Sequence, residues 1–596
     1  MRRVVVILAL AWLGASLAEA AEIPVGELTR APTPERVAAL QAEAARTGWP
    51  AVARTLQWVA IGLYQKQSTQ AQAWYYLYRW ADLFGQTERE AIDRWTRVVE
   101  EAPVNHANLP QPFDATDRPL ADFAPPDLRA YLMSSADFSN QFFTLLSSLD
   151  RTPAVIFILG RLWERNPAEF RQYSSLALAI ALVDDVPPPP DWPHAQVSAD
   201  ALPRRLLPLD LFGFLIQSHR RGALLQPLNK LPASELKFVV DPAAGFDEML
   251  WAQKNVQVAL ETLGKTYDAV RYRRDRFDAR ILVWPKASYR LPDILQDGGI
   301  CVDQAYFAWT VGKAKGVPTL LFRGLGLDGG HAWFGFLDGS GHWSLDCGRY
   351  AEQKLMAGYA YDPQTWTNIS DHELQFLSEG FHRQPRFIAS VAHMQFAGLY
   401  FNGGAFPAAA KAARAAVDTE PRNLEAWFIL LAAWERIGVP PEQIEGALQE
   451  AALAFKRYPD LDAEFKRRQA RSLRARGQTS AADFMERSIA HKYESTRGDL
   501  TMREARDILQ HSMEKDDVQA SVQTYNSVLN SFGHGAGMDF FAEVVRPFVD
   551  HLLRNGQPRE AVQAIGRARE TLRVEPNGQV DRELRVLESR ARQALR

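Results

Sequence analysis

The chain has 596 residues, more than a single hydrophobic core normally holds, so two or three domains are expected. Apolar residues make up 47% of it, which is typical of folded proteins and excludes a largely disordered chain. The formal net charge of −3 at pH 7 gives no basic excess, so neither nucleic acid nor a membrane surface is expected as a partner.

Residues 1–20 read MRRVVVILALAWLGASLAEA and have the features of a secretory signal. Two arginines precede an apolar run from Val4 to Leu13, and Ala18 and Ala20 form a small-residue cleavage site. The run is too short to persist as a membrane anchor, and later apolar stretches are equally short. The sequence therefore predicts a periplasmic or secreted protein with no membrane span after cleavage of the signal.

A helical region is predicted next, over residues 21–234, because apolar residues recur there at intervals of three and four. Proline-rich stretches such as VDDVPPPPDWPH at 183–194 interrupt the pattern. Several aromatic residues could form a ligand surface, but helix packing is the favoured interpretation. They are Trp58, Trp74, Tyr75, Tyr78 and Trp80.

The sequence pattern changes at about residue 235, and residues 235–384 are predicted to form an α+β core. Two short apolar runs, LKFVV at 236–240 and ARILVWP at 279–285, resemble strands. Between them, RYRRDRF at 271–277 contains four arginines in seven residues. Such a run indicates a solvated face or a contact with an anionic substrate.

The most regular part of this core is residues 298–350. A helix is predicted from Cys301 to about Lys315, followed by the strands TLLFRGLG, HAWFGFLD and HWSLD. The short glycine loop in LDGSGHW joins the last two strands and predicts a hairpin.

Residues 385–596 are predicted to be helical and to contain an internal repeat. When Pro421 is taken as the closing proline of one unit, the aromatic, glycine and small residues of a tetratricopeptide motif fall at Tyr400, Gly404, Ala409, Ala413 and Ala416. A second unit ends at Pro459, and a third, degenerate one follows Gly556. The segment resembles the tetratricopeptide family, which implies either a surface that binds a peptide or protein partner or a structural cap.

Three residues of the core together suggest cysteine-based catalysis, which needs an activated thiol, a base and a group that orients the base. Cys301 follows two glycines at a helix start, where the free N–H groups are expected to lower its pKa. His331 begins one strand of the hairpin. Asp346 ends the partner strand, so its carboxylate is expected to meet the imidazole.

A disulfide between Cys301 and the second cysteine, Cys347, is one possibility, because an exported protein meets an oxidising environment. Strand alternation favours a different arrangement. If Ser344 and Asp346 face the histidine, Cys347 faces the opposite side and packs as a buried thiol.

The order and spacing of GGICVDQAYFAWTVGKAKGVPT, GGHAWFGF and HWSLD resemble the transglutaminase-like branch of the papain-type cysteine hydrolase superfamily. The resemblance implies that Cys301 is the nucleophile, His331 the base and Asp346 the group that orients it. It also implies scaffold roles for Trp333 and Pro318.

This sequence departs from the family at two positions. Gly335 stands where the family often has a glutamate, and Cys347 stands where proline is commoner. Both departures bear on substrate and packing more than on the three catalytic positions.

An oxyanion formed during acyl transfer needs hydrogen-bond donors. The backbone N–H of Cys301 is expected to supply one of them. Gln296 is the candidate for the second, with Tyr289 as the alternative, although a solvent-facing Gln296 is the more common situation.

The sequence therefore predicts a multidomain, mainly α protein with a central transglutaminase-like α+β core between two helical regions. Its expected activity is acyl transfer through a thioester at Cys301, from a peptide or amide substrate to water or to an amine. The rival interpretations are a non-catalytic interaction scaffold and a thiol-redox role for the two cysteines. No metal-ligand spacing is present among the 12 histidines, and no cofactor is expected.

Overall fold

The computed structural model divides the chain into two compact units, which are described separately. It describes residues 23–102, 115–326, 329–349, 357–493, 505–506, 508–510, 512–514, 517–533 and 537–595. The predicted signal at 1–20 lies outside these residues. One unit contains the described residues up to Trp192 with Leu206–Asp241 and Pro363–Thr367; the other contains Pro193–Arg205, Pro242–Asp362 and the described residues from Asn368 onwards.

The first unit is helical, in agreement with the periodicity of the sequence. Its α-helices are Val25–Leu28, Pro34–Thr47, Trp49–Gln65, Ala71–Gly85, Glu88–Glu101, Pro126–Ser134, Ala136–Leu145, Thr152–Arg165, Pro167–Gln172, Ser174–Val183, Pro208–Arg220 and Ala233–Leu236, with a 3₁₀ turn at Leu120–Phe123.

Aromatic side chains form much of the core of this unit. The ring of Trp80 lies 4.6 Å from that of Phe142 and 4.8 Å from that of Phe143, and its indole N–H donates to the Ser139 hydroxyl. Trp74, Tyr75 and Trp80 are buried, whereas Trp58 is partly exposed. Helix packing therefore accounts for most of the aromatic residues of this region.

The second unit contains the four strands together with the helices that surround them. The strands are β1 (Thr319–Gly326), β2 (Gly329–Leu337), β3 (Trp343–Cys347) and β4 (Ala357–Tyr359). The α-helices before the sheet are Phe246–Asn255, Arg274–Asp278, Leu291–Asp297 and Cys301–Ala314, with 3₁₀ turns at Ala199–Ala201 and Leu260–Thr266.

The sheet is antiparallel, with the strand order β3-β2-β1-β4. Its centre is the β1–β2 pair, in which Thr319 lies opposite Phe336 and Gly324 opposite His331. The pairing of β2 with β3 shifts between Phe334 and Phe336, so β3 departs from regular register close to its end. The three strands and the hairpin predicted from alternation are confirmed.

The helix Cys301–Ala314, here the cysteine helix, begins at the predicted residue and packs on β1 and β2. Nearly all of it is buried, because neighbouring segments cover the sides that face away from the sheet. At Gly312 it approaches β1 so closely that a Cβ would lie 2.4 Å from Cγ2 of Thr319. The Thr319 hydroxyl donates to the Trp309 carbonyl over 3.0 Å, which fixes its rotamer against the helix.

The two apolar runs at 236–240 and 279–285 do not form strands, so this prediction was wrong. In the first run Val239 and Val240 are fully buried within turns after a short helix. In the second, the carbonyl of Ile281 accepts from the Arg276 side chain instead of from a neighbouring strand. Short apolar runs indicate burial more reliably than they indicate strand pairing.

After the sheet the second unit is helical. Its α-helices are Asp371–Ser378, Pro385–Asn402, Phe406–Thr419, Leu424–Ile437, Pro441–Ala454, Pro459–Ala475, Thr479–Tyr493, Val518–Phe532, Gly537–Phe540, Arg546–Arg554, Pro558–Thr571 and Gln579–Gln593, with a 3₁₀ turn at Phe381–Arg383 and a π-turn at Phe541–Val545. From Pro385 to Tyr493 consecutive helices pack against each other. The described part of the chain is thus mainly helical, with one small antiparallel sheet. None of the described helices has the length and apolar character needed to cross a membrane.

We expect Gly312→Ala to destabilise the second unit by about 1–3 kcal/mol, because the new methyl group has no room between the cysteine helix and β1. Gly446→Ala is the matched control: it lies in the helix Pro441–Ala454, where a Cβ meets nothing within 4 Å. The control should be neutral or stabilising, by up to about 1 kcal/mol. Thermal and denaturant unfolding would measure both, and equal effects would contradict the close packing at Gly312.

Candidate active site

The two glycines before the cysteine helix lie in a tight turn, and the backbone around it requires glycine at position 298. Gly298 has φ +76°, and a Cβ there would lie 2.4 Å from the Arg271 carbonyl oxygen. The Gly299 N–H donates to the same carbonyl over 3.0 Å, and the Arg273 N–H donates to the Gly299 carbonyl over 2.8 Å. The arginine-rich segment therefore runs beside the turn that delivers Cys301 to its helix.

A fully buried carboxylate, that of Asp303, anchors the first turn of the cysteine helix. It accepts the Ile300 N–H over 2.8 Å and so satisfies a backbone donor at the helix start. The guanidinium of Arg276, itself 4% exposed, donates to the same carboxylate over 2.9 Å. The two charges neutralise each other where water cannot reach them.

Tyr289 and His194 extend this buried network. The Tyr289 hydroxyl donates to Asp303 over 2.8 Å and lies 3.0 Å from Nε2 of His194. Nδ1 of His194 accepts the Gln196 N–H, so Nε2 carries the proton and donates to the tyrosine oxygen. Burial, with Arg323 as a smaller cause, lowers the pKa of His194 to about 3 and keeps the ring neutral.

Arg276 belongs to the run at 271–277 that the sequence assigned to a solvated face or to an anionic substrate. Instead it is buried, with its Nε directed at the Ile281 carbonyl and its guanidinium 5.3 Å from the centre of the Trp284 ring. Arg274, in the same run, is exposed and pairs with Asp278. One arginine of the four is thus part of the core beneath the candidate site.

The sulfur of Cys301 lies near β2, where the backbone N–H of Ala332 favours the thiolate and acts to lower the pKa of the thiol. The residue as a whole keeps some exposure, but protein surrounds the sulfur closely. This burial raises the pKa of the thiol to about 11, and the nearby carboxylate of Asp303 acts in the same direction. The lowered pKa expected from the helix start is not found, because burial outweighs the backbone donors.

His331 is adjacent in sequence to Ala332, so the predicted base lies on the same strand whose backbone the Cys301 sulfur approaches. Its Nε2 lies 2.7 Å from the carbonyl oxygen of Gly348. A carbonyl oxygen only accepts, so Nε2 is the donor, and in the neutral ring the lone pair is on Nδ1. The ring is buried and stacks on that of Trp333, with the ring centres 5.9 Å apart.

The contact expected between Asp346 and His331 is not formed in the described hairpin. The Asp346 side chain is 69% exposed and pairs with Arg349 over 2.9 Å. Asp346 and Ser344 are the exposed residues of β3, whereas Trp343, Leu345 and Cys347 alternate with them on its less exposed side. The irregular register between β2 and β3 accompanies this arrangement.

The two candidates for the second oxyanion donor differ in position. Gln296 is exposed in the last turn of the helix Leu291–Asp297. The Tyr289 hydroxyl is buried and directed at Asp303, so it is engaged in the network beneath the helix. Neither side chain is placed beside the sulfur by a hydrogen bond, whereas the Cys301 and Val302 N–H groups both approach it.

Both cysteines are free thiols. Sγ of Cys347 lies 3.5 Å from the Ser344 hydroxyl and packs towards Gly264, where a Cβ would approach it to 3.1 Å. Burial raises the pKa of Cys347 as well. Cys347 is partly buried and its sulfur still contacts the Ser344 hydroxyl, so the buried thiol predicted from strand alternation is found only in part.

In the part of the chain that the structure describes, no three His, Cys, Asp or Glu side chains are grouped so that they could hold a metal ion.

Sequence reasoning missed Asp303 and His194, and it did not assign Arg276 and Tyr289 to the buried network that all four form at the start of the cysteine helix. Asp303 carries a local signal, since an acidic residue in the first turn of a helix can accept backbone N–H groups. The other three reach it from distant parts of the sequence, and no local pattern indicates those contacts.

Comparison with models of known protein families gives no match, and comparison with curated proteins gives none either. The family resemblance therefore rests on the motifs in the sequence and stays a prediction.

We expect Arg276→Ala to lower the free energy of unfolding by about 3–5 kcal/mol, because it leaves the Asp303 carboxylate buried without a counter-charge. Arg274→Ala removes an exposed arginine of the same run and should have little measurable effect. Denaturant titration would compare them. Similar losses of unfolding free energy in both variants would show that the buried ion pair contributes no more to stability than the exposed one.

The reaction of Cys301 with iodoacetamide should be slow at pH 7. Because only the thiolate reacts, the rate should rise about tenfold per pH unit until it levels off near pH 11. Mass spectrometry of a Cys347→Ser protein would follow Cys301 alone, with Cys301→Ser as the blank. A rate that already levels off below pH 8.5 would contradict the raised pKa and would indicate a thiolate–imidazolium pair.

Proposed function

We propose that the chain is an exported, transglutaminase-like cysteine enzyme that acts on peptide or amide carbonyls through a thioester at Cys301. The observation that carries this proposal is that the Cys301 sulfur lies near the Ala332 N–H of β2, one residue along the strand from His331. A thiol at a helix start and a histidine on the adjoining strand provide a nucleophile and a base. The secretory signal predicted at 1–20 supports export.

The proposed reaction begins with a neutral thiol. As Sγ attacks the carbonyl carbon, its proton passes to Nδ1 of His331, the nitrogen that the hydrogen bond to Gly348 leaves as acceptor. Backbone N–H groups at the helix start stabilise the oxyanion. The C–N bond then breaks, the imidazolium returns the proton to the leaving amine, and water or a second amine releases the acyl group.

With the thiol pKa raised, little thiolate is present beforehand, so the proposed proton transfer has to accompany the attack. The raised pKa also implies that the base controls the rate, so His331 should matter as much as Cys301.

The helices from Pro385 onwards are proposed to be tetratricopeptide-like and to select a peptide or protein. Ala409, Ala413 and Ala416 are buried at the small-residue positions of the motif, which supports close helix packing. The last helix also borders the candidate site, since the side-chain oxygen of Gln579 accepts the Gly330 N–H over 3.3 Å. A substrate that reaches His331 would therefore pass close to this helix.

The second candidate function is a non-catalytic scaffold that binds a partner through its helices. Two observations favour it: the pKa of Cys301 is raised to about 11, and the Asp346 carboxylate pairs with Arg349 instead of His331. In that case Cys301→Ala would leave partner binding unchanged, and the protein would form no thioester.

Release of amine from peptide amides, and incorporation of a fluorescent primary amine into protein, would test for the activity. We expect Cys301→Ala and His331→Ala each to lower the rate by about 1,000-fold, since the two residues act as a unit. Cys347→Ala is the matched control and should keep the rate within about twofold, because this thiol lies in the packing layer. Equal rates in the wild type and in Cys301→Ala would refute the proposal.

A further inference from the structure

We propose that the main-chain carbonyl of Gly348, and not the carboxylate of Asp346, orients the imidazole of His331 and fixes its tautomer. The inference rests on the proposed function, because a tautomer matters only if Nδ1 has to accept a proton. It gives Gly348 and Tyr267 positioning roles, and it removes Asp346 from the three residues that the sequence predicted.

The geometry at Nε2 shows which ring nitrogen carries the proton. The 2.7 Å distance to the Gly348 oxygen is that of a good hydrogen bond, and a carbonyl oxygen can only accept. The imidazole therefore keeps its proton on Nε2. A carboxylate partner would select the same tautomer, but Asp346 is mostly exposed and pairs with Arg349.

Packing against Tyr267 holds the Gly348 carbonyl in place. Gly348 has φ +90°, a conformation that favours glycine, and a Cβ there would lie 2.5 Å from ring carbons of Tyr267. Tyr267 is fully buried, and its hydroxyl donates to the Ala332 carbonyl over 2.9 Å. One tyrosine thus contacts the backbone on both sides of the imidazole, at Gly348 and next to His331.

The carboxylate of Asp346 has a different partner. Arg349 is only 18% exposed and has its guanidinium 5.0 Å from the centre of the Trp333 ring, so Asp346 pairs with an arginine that packs on β2. This contact gives the carboxylate a structural purpose that does not involve the imidazole.

A neutral carbonyl and a carboxylate leave different signatures in the titration of His331. A carboxylate stabilises the imidazolium and raises the histidine pKa, whereas a carbonyl has no net charge. With Gly348 as the orienting group, removing the charge of Asp346 should leave the histidine titration nearly unchanged.

The test is NMR of the full chain labelled with ¹⁵N at histidine, which reports the protonated ring nitrogen and the pKa. The His331 signal is assigned by its loss in His331→Gln. In Asp346→Asn we expect the Nε2–H tautomer to persist and the pKa of His331 to move by less than about 0.3 unit. A switch to Nδ1–H, or a fall of about one unit or more, would overturn the proposal.

Gly348→Ala tests the other half of the proposal. Its methyl group conflicts with the Tyr267 ring and with the positive φ, so the carbonyl should move and the preference for Nε2–H should weaken. Gly341→Ala is the matched control, since Gly341 has φ +82° in the hairpin loop and a Cβ there would meet only the end of the flexible Arg383 side chain. An unchanged tautomer in a folded Gly348→Ala protein would contradict the proposal. Should that variant fail to fold, the Asp346→Asn measurement decides alone.

The NMR experiment needs no substrate. A chain that forms no thioester but keeps the Nε2–H tautomer in Asp346→Asn would refute the proposed function while supporting the role of Gly348. The two failures are therefore distinguishable.

Discussion

The buried ion pair between Asp303 and Arg276 is the interaction on which the candidate site depends. Burying two charges is unfavourable unless their hydrogen-bonding capacity is satisfied, and here the carboxylate also takes the Ile300 N–H and the Tyr289 hydroxyl. The pair joins the arginine-rich segment to the first turn of the cysteine helix. The direction in which Cys301 leaves its glycine turn follows from that connection, and so does the approach of the sulfur to β2.

The same carboxylate that positions the helix works against ionisation of the thiol. Asp303 brings a negative charge close to Cys301, and the packing that it organises keeps water from the sulfur. A free helix start would favour the thiolate, but this one has an acidic residue in its first turn. The packing that holds the helix start in place thus opposes ionisation of the Cys301 thiol, and the result is a raised thiol pKa.

The sequence predicted those features that local patterns determine. The glycine pair indicated the start of the helix at Cys301, and alternation with a Gly-Ser-Gly loop indicated the strands around His331. It failed where a side chain has a choice of partners. Arg276 was not recognised as a core residue, because its partner Asp303 lies far along the chain. The carboxylate of Asp346 pairs with the nearby Arg349 instead of the imidazole. The predicted strand at 279–285 was wrong for a similar reason, because the Ile281 carbonyl accepts a hydrogen bond from the Arg276 side chain and not from a neighbouring strand.

The hydrogen bond from His331 to Gly348 has a consequence for how such a site varies among related sequences. Every residue type has a main-chain carbonyl oxygen, so a backbone acceptor cannot be identified from the residue type in a sequence. The residue type at position 348 is restricted instead by the space around it, since the Tyr267 ring and the positive φ favour glycine there. Among relatives that keep this geometry, selection would preserve a glycine at position 348 while position 346 drifts, and a search for an acidic residue would miss them.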